Sequence, residues 1–463
     1  MNAIAILQIA FGVILGFVGL VGVAAATGNE AALRWLHGVV DVKPNEVRAM
    51  LAGCLYFFCA LASYFILRPI RDAMAVASGA RNLPYLFAAT LISMLVFHPI
   101  YSSLVGRFPV RKFVGFTYGF FAACLIGFFV ARHAGVNEIW TGRVFFIWTS
   151  VFALYNTSIF WSVMVDAFHQ TQAKRLFGFI AVGGTIGSVS GTAITALFVK
   201  TVGNTNLLLV SAALLMVAAF MVSTFPVVPR VEGESASSVS RDRDKIVGGS
   251  MWSGILSLTR SWYILGIAGF LLLYTSGSTV LYSAQTDIIG KFYTTRDAQT
   301  AVLANMELIV QIVAGLGQAF ITARAIRTLG LSFTLSAVPI VSVLGFAALG
   351  ATSWGVLPLL WTFLVFNTLR RASDFMLSNP SRKILFTVLS REDKYKSSSF
   401  LETSIYRLGD QLAVWGYAGL VSLGLVMTSI AWVSVPVSLL FLALSLWLAH
   451  RQRQLASAQP ASA

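Results

Sequence analysis

An α-helix needs roughly 20 mostly apolar residues to cross the hydrocarbon of a bilayer, which is about 30 Å thick. This chain of 463 residues repeats such a stretch thirteen times. The first covers 4–26. Twelve more follow near 49–67, 83–104, 113–131, 141–165, 176–199, 206–226, 261–286, 299–323, 330–350, 354–373, 404–427 and 430–449. Backbone groups in hydrocarbon find no water, so a spanning segment pairs its own N–H and C=O groups as a helix or closes into a barrel. Barrel strands are about half as long and alternate polar with apolar residues. These runs do neither, and the expected fold class is an all-α polytopic membrane protein.

Charge agrees with that. Only 11% of residues are charged, against about 25% in soluble proteins, so most of the surface must face something other than water. The three cysteines, Cys54, Cys59 and Cys124, lie inside apolar runs and read as packing residues. The five histidines form no cluster with ligand spacing, and no metal site or cofactor is expected.

The runs are not equivalent. Residues 1–29 carry no charge and read as an extra N-terminal transmembrane helix. A cleaved leader would want a basic start, although Ala24-Ala25-Ala26 resembles a cleavage site; a misplaced start codon is the other alternative. Residues 30–48 are polar and amphipathic, as a segment lying on the membrane surface would be. Residues 227–260 include "PRVEGESASSVSRDRDKIVGGS", charged and rich in Ser and Gly, the composition of a flexible linker. It divides a twelve-helix core into an N-terminal half, 49–226, and a C-terminal half, 261–449, with a tail at 450–463.

The net charge is +15. With residues 30–48 placed in the cytoplasm, 24 Lys and Arg fall on cytoplasmic segments, 8 on the opposite side, and Arg407 falls within a span. Such a bias orients membrane proteins and puts both core termini and the tail in the cytoplasm. It also explains the basic balance without nucleic acid, which would want one basic face instead of charge strewn over alternate loops.

Six spans, a long cytoplasmic loop and six more spans match the layout of major facilitator transporters, whose halves are related by an axis along the membrane normal. The loop "VGRFPVRKF" resembles that superfamily's Gly- and Arg-containing loop between its second and third helices, and "ARAIRTLG" stands at the corresponding place in the second half. Three longer stretches, "YFILRPIRDAM", "FWSVMVDAFHQTQAKRLFGFIAVGGTIGSVSG" and "REDKYKSSSFLETSIYRLGDQ", resemble the ATP/ADP antiporter (nucleotide exchange transporter) family, in its branch from free-living bacteria. The resemblance covers most of 40–450. It implies a major-facilitator-like six-plus-six core in the bacterial inner membrane and transport of an anion. Of the charged membrane residues used by that family's nucleotide exchangers, Arg71 matches the basic one after Arg-Pro. Thr149, the stretch Tyr282-Ser283-Ala284-Gln285 and the serines at 397–399 stand where the other three are charged.

Ionisable groups within spans are expensive, about 2.5–3.5 kcal/mol each on insertion scales, and so face a cavity or a partner. Arg68 and Arg71 are three residues apart, on one helix face, around Pro69. They form either a fork for a phosphate or carboxylate, with Asp72 as counter-ion, or a collar at the membrane surface. Glu307 is the deepest acid of the second half, and Gln311 lies one turn on along the same face. Glu307 either binds substrate or carries a proton, or else makes an interhelical hydrogen bond. Glu402, Arg407 and Asp410 cluster before and within the eleventh core span. Arg407 and Asp410 have the spacing to pair with each other. Asp166, near Lys174 and Arg175, reads as a cytoplasmic gate or a solvated turn. Tyr64, Asn156 and Tyr282 are polar enough to line a substrate cavity. Gly178, Gly183, Gly184, Gly187 and Gly191 share one run; Gly187 and Gly191 permit close helix approach. No Walker lysine follows them, so they are no phosphate loop. The aromatics, 13% of the chain, are expected mostly at lipid and interface.

No nucleophile–base pair argues for an enzyme, and no large soluble domain for signalling. The reading is a secondary transporter of a small organic or phosphorylated anion by alternating access, in which a monomer suffices. A proton-coupled symporter or exporter of another solute is the alternative, and a membrane assembly or sensor protein the alternative from another class.

Overall fold

The computed structural model describes residues 40–107, 110–226, 261–389 and 401–458. The expected extra helix at 1–29, most of the surface segment, the linker, residues 390–400 and the last five residues lie outside that range, as do the side chains of Lys174 and Glu402. Every regular element described is helical. In order these are α1 (Val47–Ser78), α2 (Leu83–Arg107), α3 (Val110–His133), α4 (Glu138–Ala167), α5 (Gln170–Val202), α6 (Asn204–Ser223), α7 (Trp262–Phe292), α8 (Arg296–Phe320), α9 (Thr322–Thr328), α10 (Gly330–Ala351), α11 (Leu359–Ser373), α12 (Asn379–Leu385), α13 (Tyr406–Ser422) and α14 (Met427–Ala458). Ten of them are long and apolar enough to cross a membrane.

Turn chemistry explains several boundaries. Asn137 caps α4 by accepting from the N–H groups of Ile139 and Trp140 at 3.0 and 3.2 Å. His169 and Gln172 form a reciprocal capping box on α5. Gly203 joins α5 to α6 at φ +82°, a conformation that favours glycine.

Two elements run differently from their apolar patterns. α1 does not end near Arg68; it continues through Pro69 to Ser78. Pro69 takes the N–H from one backbone pair, and the Thr195 hydroxyl of α5 donates to the nearby Ile66 carbonyl at 3.2 Å. Likewise the span expected to end at 373 passes through a π-turn, Asp374–Ser378, into α12. Pro380 cannot donate to the carbonyl of Met376, four residues back. The Thr322 hydroxyl takes that carbonyl at 2.7 Å, and the Gln318 amide takes that of Phe375 at 2.9 Å. Side chains of α8 and α9 thus satisfy what the wide turn leaves open.

The chain forms two compact units. The first contains residues up to Ala77, those from Ala89 to the linker, and Thr294–Gln311. The second contains Ser78–Ala88, the residues from the linker to Tyr293, and those from Ile312 onward. In the first, α3 packs along α6, and its core holds Tyr56, Phe57, Phe121, Phe152 and Phe160. Phe57 and Phe160 stack at 3.8 Å, and Trp148 and Phe152 at 5.4 Å. These aromatics are core residues, while others such as Phe116, Trp140, Trp262 and Trp361 are exposed, as expected of rings at lipid and interface. Helices in lipid gain little from the hydrophobic effect, and large flat rings supply van der Waals contact instead. In the second unit α10 packs along α14 and α7 along α13. Val42 and Glu46, from the segment expected on the membrane surface, are buried in the first unit.

Candidate functional site

In the first unit three helices bring polar groups together. Arg68 projects from α1, where helix continues past the apolar run. Its Nη1 donates to Oε1 of Glu307 on α8 at 3.0 Å. Gln311, one turn further along α8, donates to the same oxygen at 2.8 Å. The Ser188 hydroxyl of α5 stands 3.4 Å from the Gln311 side-chain oxygen. Glu307 is 3% exposed. The Arg68 guanidinium lies over the Phe65 ring at 5.7 Å, and its buried Nε has no hydrogen-bond partner. Each charge alone in hydrocarbon would cost about 2.5–3.5 kcal/mol; together each neutralises the other. What the arrangement offers chemically is a buried carboxylate held by a guanidinium whose Nε has no hydrogen-bond partner.

Arg68 and Arg71 hold different acids. Arg71 turns to Asp72, donating from Nε and Nη2 to Oδ1 at 3.0 and 2.7 Å, and lies over the Phe146 ring. Asp72 is thus paired with Arg71. Tyr64 is half-buried on the same helix against Phe65 and Phe152. Asn156 is buried and ties α4 to α1 by donating to the Ala60 carbonyl at 2.7 Å. Thr149 is bonded to its own helix, through the Phe145 carbonyl at 2.7 Å.

At the other end of α5, Arg175 is held by Glu46, with Nη2 3.0 and 3.2 Å from the two carboxylate oxygens. It also donates to the Asp41 carbonyl. Asp166 is exposed at the end of α4. The expected gate partner of Arg175 is thus replaced by Glu46, an acid just ahead of the first core run that sequence reasoning passed over.

The second unit holds the other candidates. Arg407 and Asp410 pair at 3.7 Å, and Thr279 of α7 donates to Asp410 at 2.8 Å. Tyr282 is half-buried, its ring edge-on to Phe87. The surprise is Arg370, counted from sequence among cytoplasmic loop cations but 3% exposed on α11. It lies about 17 Å along a helix that continues beyond it, because the π-turn carries the span past 373. It bonds Ser342 at 3.0 Å, Ser278 at 2.8 Å and the Tyr274 carbonyl at 3.0 Å. Asp374 accepts from the Tyr274 hydroxyl at 2.6 Å and lies 3.7 Å from Arg382. The Arg-Arg pair at 370–371 inside an otherwise apolar run was the available signal. Among the described residues no group of three or more His, Cys, Asp or Glu is placed to hold a metal ion.

No protein-family model and no curated protein matches the sequence. Solved structures do match the fold. A bacterial homologue of the human lysosomal transporter Spinster, inward-facing and unoccupied, aligns over 91% of this chain and 100% of its own, with TM-score 0.57 and 12% identity. The nucleoside transporter NupG aligns over 90% and 100%, with TM-score 0.57 and 15% identity. A D-xylose–proton symporter aligns over 88% and 96%, with TM-score 0.56 and 12% identity. The chain shares its fold with these solved transporters. With ten helices among the described residues long and apolar enough to cross a membrane, the chain is a multi-pass membrane protein. At these identities the likeness concerns the fold.

Proposed function

We propose that the protein is a secondary transporter of a small organic or phosphorylated anion, with Arg68 as its anchor and Glu307 as the resident group the anion displaces. The observation that carries this reading is the buried Arg68–Glu307 contact at 3.0 Å, with Gln311 on the same carboxylate oxygen. An arriving carboxylate or phosphate offers Arg68 the same charge-assisted bonds. Glu307 then leaves with Gln311 or takes up a proton. The first outcome suits exchange, in which the site is never left uncompensated; the second suits proton symport. The sequence resemblance to ATP/ADP antiporters is the reason to include nucleotides among the anions tested, while the neutral residues at Thr149 and 282–285 speak against nucleotide exchange.

The test is a thermal-stabilisation screen of the purified full chain with nucleotides, sugar phosphates and carboxylates. At least one anion class is expected to raise the melting temperature. Arg68→Gln should weaken that ligand about tenfold or more, since a hydrogen bond to a charged group is worth about 1.5–3 kcal/mol. Stabilisation by no anion would point instead to a membrane assembly or sensor role. Equal affinity in Arg68→Gln would place the anchor elsewhere.

A further inference from the structure

The second unit holds a partly open pocket of about 180 Å³ among α7, α10, α11, α13 and α14. Hydrocarbon side chains make most of its wall, including Phe346, Ala413, Val437 and Phe441. The charged member of that wall is Arg370. Its guanidinium has five N–H donors. Three hydrogen bonds are formed, all to neutral acceptors: the hydroxyls of Ser342 and Ser278 and the Tyr274 carbonyl. The nearby acid, Asp374, is engaged with the Tyr274 hydroxyl and Arg382. Residue 277, facing the guanidinium, is glycine. A Cβ there would stand 3.2 Å from Nη2, so glycine lets the guanidinium lie close against α7.

A buried cation beside a largely apolar void asks for an anion with an apolar body. The size fits: a cavity of about 150 Å³ lined by hydrocarbon takes up benzene. The walls disfavour a small hydrated anion, which would lose its water without enough polar replacements. The geometry points to a site for a small lipophilic carboxylate, an aryl or short-chain fatty acid anion, with its carboxylate on Arg370 and its hydrocarbon between α13 and α14. Val433 and Val437 on α14 and Gly416 on α13 are exposed, so the rim lies at the unit's apolar surface. A ligand dissolved in the bilayer would reach it there. The site lies wholly in the second unit and does not depend on the role of Arg68.

The test titrates the purified full chain with benzoate, with benzyl alcohol as a neutral analogue of similar size and with acetate as an anion lacking the ring. Calorimetry or ligand-observed NMR reads the affinity. Benzoate is expected to bind at one site, with the other two at least tenfold weaker. Ala413→Phe narrows the cavity from a buried wall position. Val437→Trp does so from its rim, where the residue is 41% exposed and a larger side chain leaves the helix core undisturbed. Each should remove benzoate binding. Benzyl alcohol binding as tightly as benzoate would overturn the role of Arg370. Unchanged benzoate affinity in the folded Val437→Trp variant would overturn the site.

Discussion

Glu46 shows how a single side chain can organise one end of a bundle. It accepts from the Lys43 backbone N–H at 3.0 Å, from Gln172 at 3.0 Å and from Arg175 at both oxygens. Burial alone would raise its pKa, but these bonds outweigh it and hold the carboxyl below the ordinary carboxylate value. A lowered pKa stabilises the fold at any pH above the ordinary value, and the contribution is lost as pH falls through the folded value. Melting temperature measured from neutral pH into the acid range should therefore fall below about pH 4.5, and that acid-dependent component should be smaller in Glu46→Gln. The same substitution at neutral pH should cost about 1–3 kcal/mol, because it takes from Arg175 its buried charged partner and leaves only the exposed Asp41 carboxylate at 3.8 Å. An equal acid slope in wild type and variant would remove Glu46 from this role. Arg68 and Glu307 show what sequence can and cannot disclose at this scale. The spacing of Glu307 and Gln311 was legible because four residues make one helical turn. Their partner Arg68 was not, because 239 positions separate it from Glu307 and no local pattern joins them.

Among the elements, α5 carries the sharpest packing constraint. A Cβ at Gly183, Gly187 or Gly191 would fall 2.2, 2.3 and 2.3 Å from the backbone carbonyl oxygens of Cys54, Phe58 and Ala62. Every fourth residue of α5 is thus in contact with the backbone of α1, closer than any side chain permits. The contact fixes the depth at which Ser188 and Thr195 meet the α1 and α8 groups. Gly187→Ala should lower stability by about 1–3 kcal/mol, the usual range for overpacking. Gly178→Ala, where a Cβ meets nothing within 4 Å, should leave it unchanged. Thermal melts of the two variants check this, and equal melting temperatures would contradict the account. The sequence disclosed Gly187 and Gly191 as a small-residue pair, and the helical runs themselves, because hydrophobic length is a local property. It did not disclose that α1 runs on past Pro69 or that α11 passes through a π-turn past Pro380. Whether a proline ends a helix depends on which distant hydroxyl or amide takes the freed carbonyl. Here Thr322 and Gln318 take those around the π-turn. That is why Arg370 was assigned to a loop.

For the whole molecule, the charge asymmetry survives the correction of that span. With Arg370, Arg371, Arg382 and Lys383 counted within the span that runs on through α12, and Arg68 and Arg71 within α1, 20 Lys and Arg on the segments expected in the cytoplasm still face 6 on the other side, and the cytoplasmic placement of the core termini remains a proposal. The fold class followed from apolar length and sparse charge alone, while the substrate did not, because a binding site is a meeting of side chains from distant helices. Under the proposed function, transport turns on the Arg68–Glu307 pair in the first unit, so the most direct measurement is flux. Proteoliposomes carrying wild type, Arg68→Gln, or the double variant Arg68→Gln with Glu307→Gln would be assayed with the anion that stabilises the protein best. The double variant removes both charges and so avoids leaving Glu307 buried without its cation. Wild type should take up the anion, driven by internal substrate or by a proton gradient. Both variants should lose uptake, with the double variant regaining thermal stability that the single one lacks. Wild-type uptake by the folded double variant would contradict the assignment of Arg68 and Glu307 as the transport site.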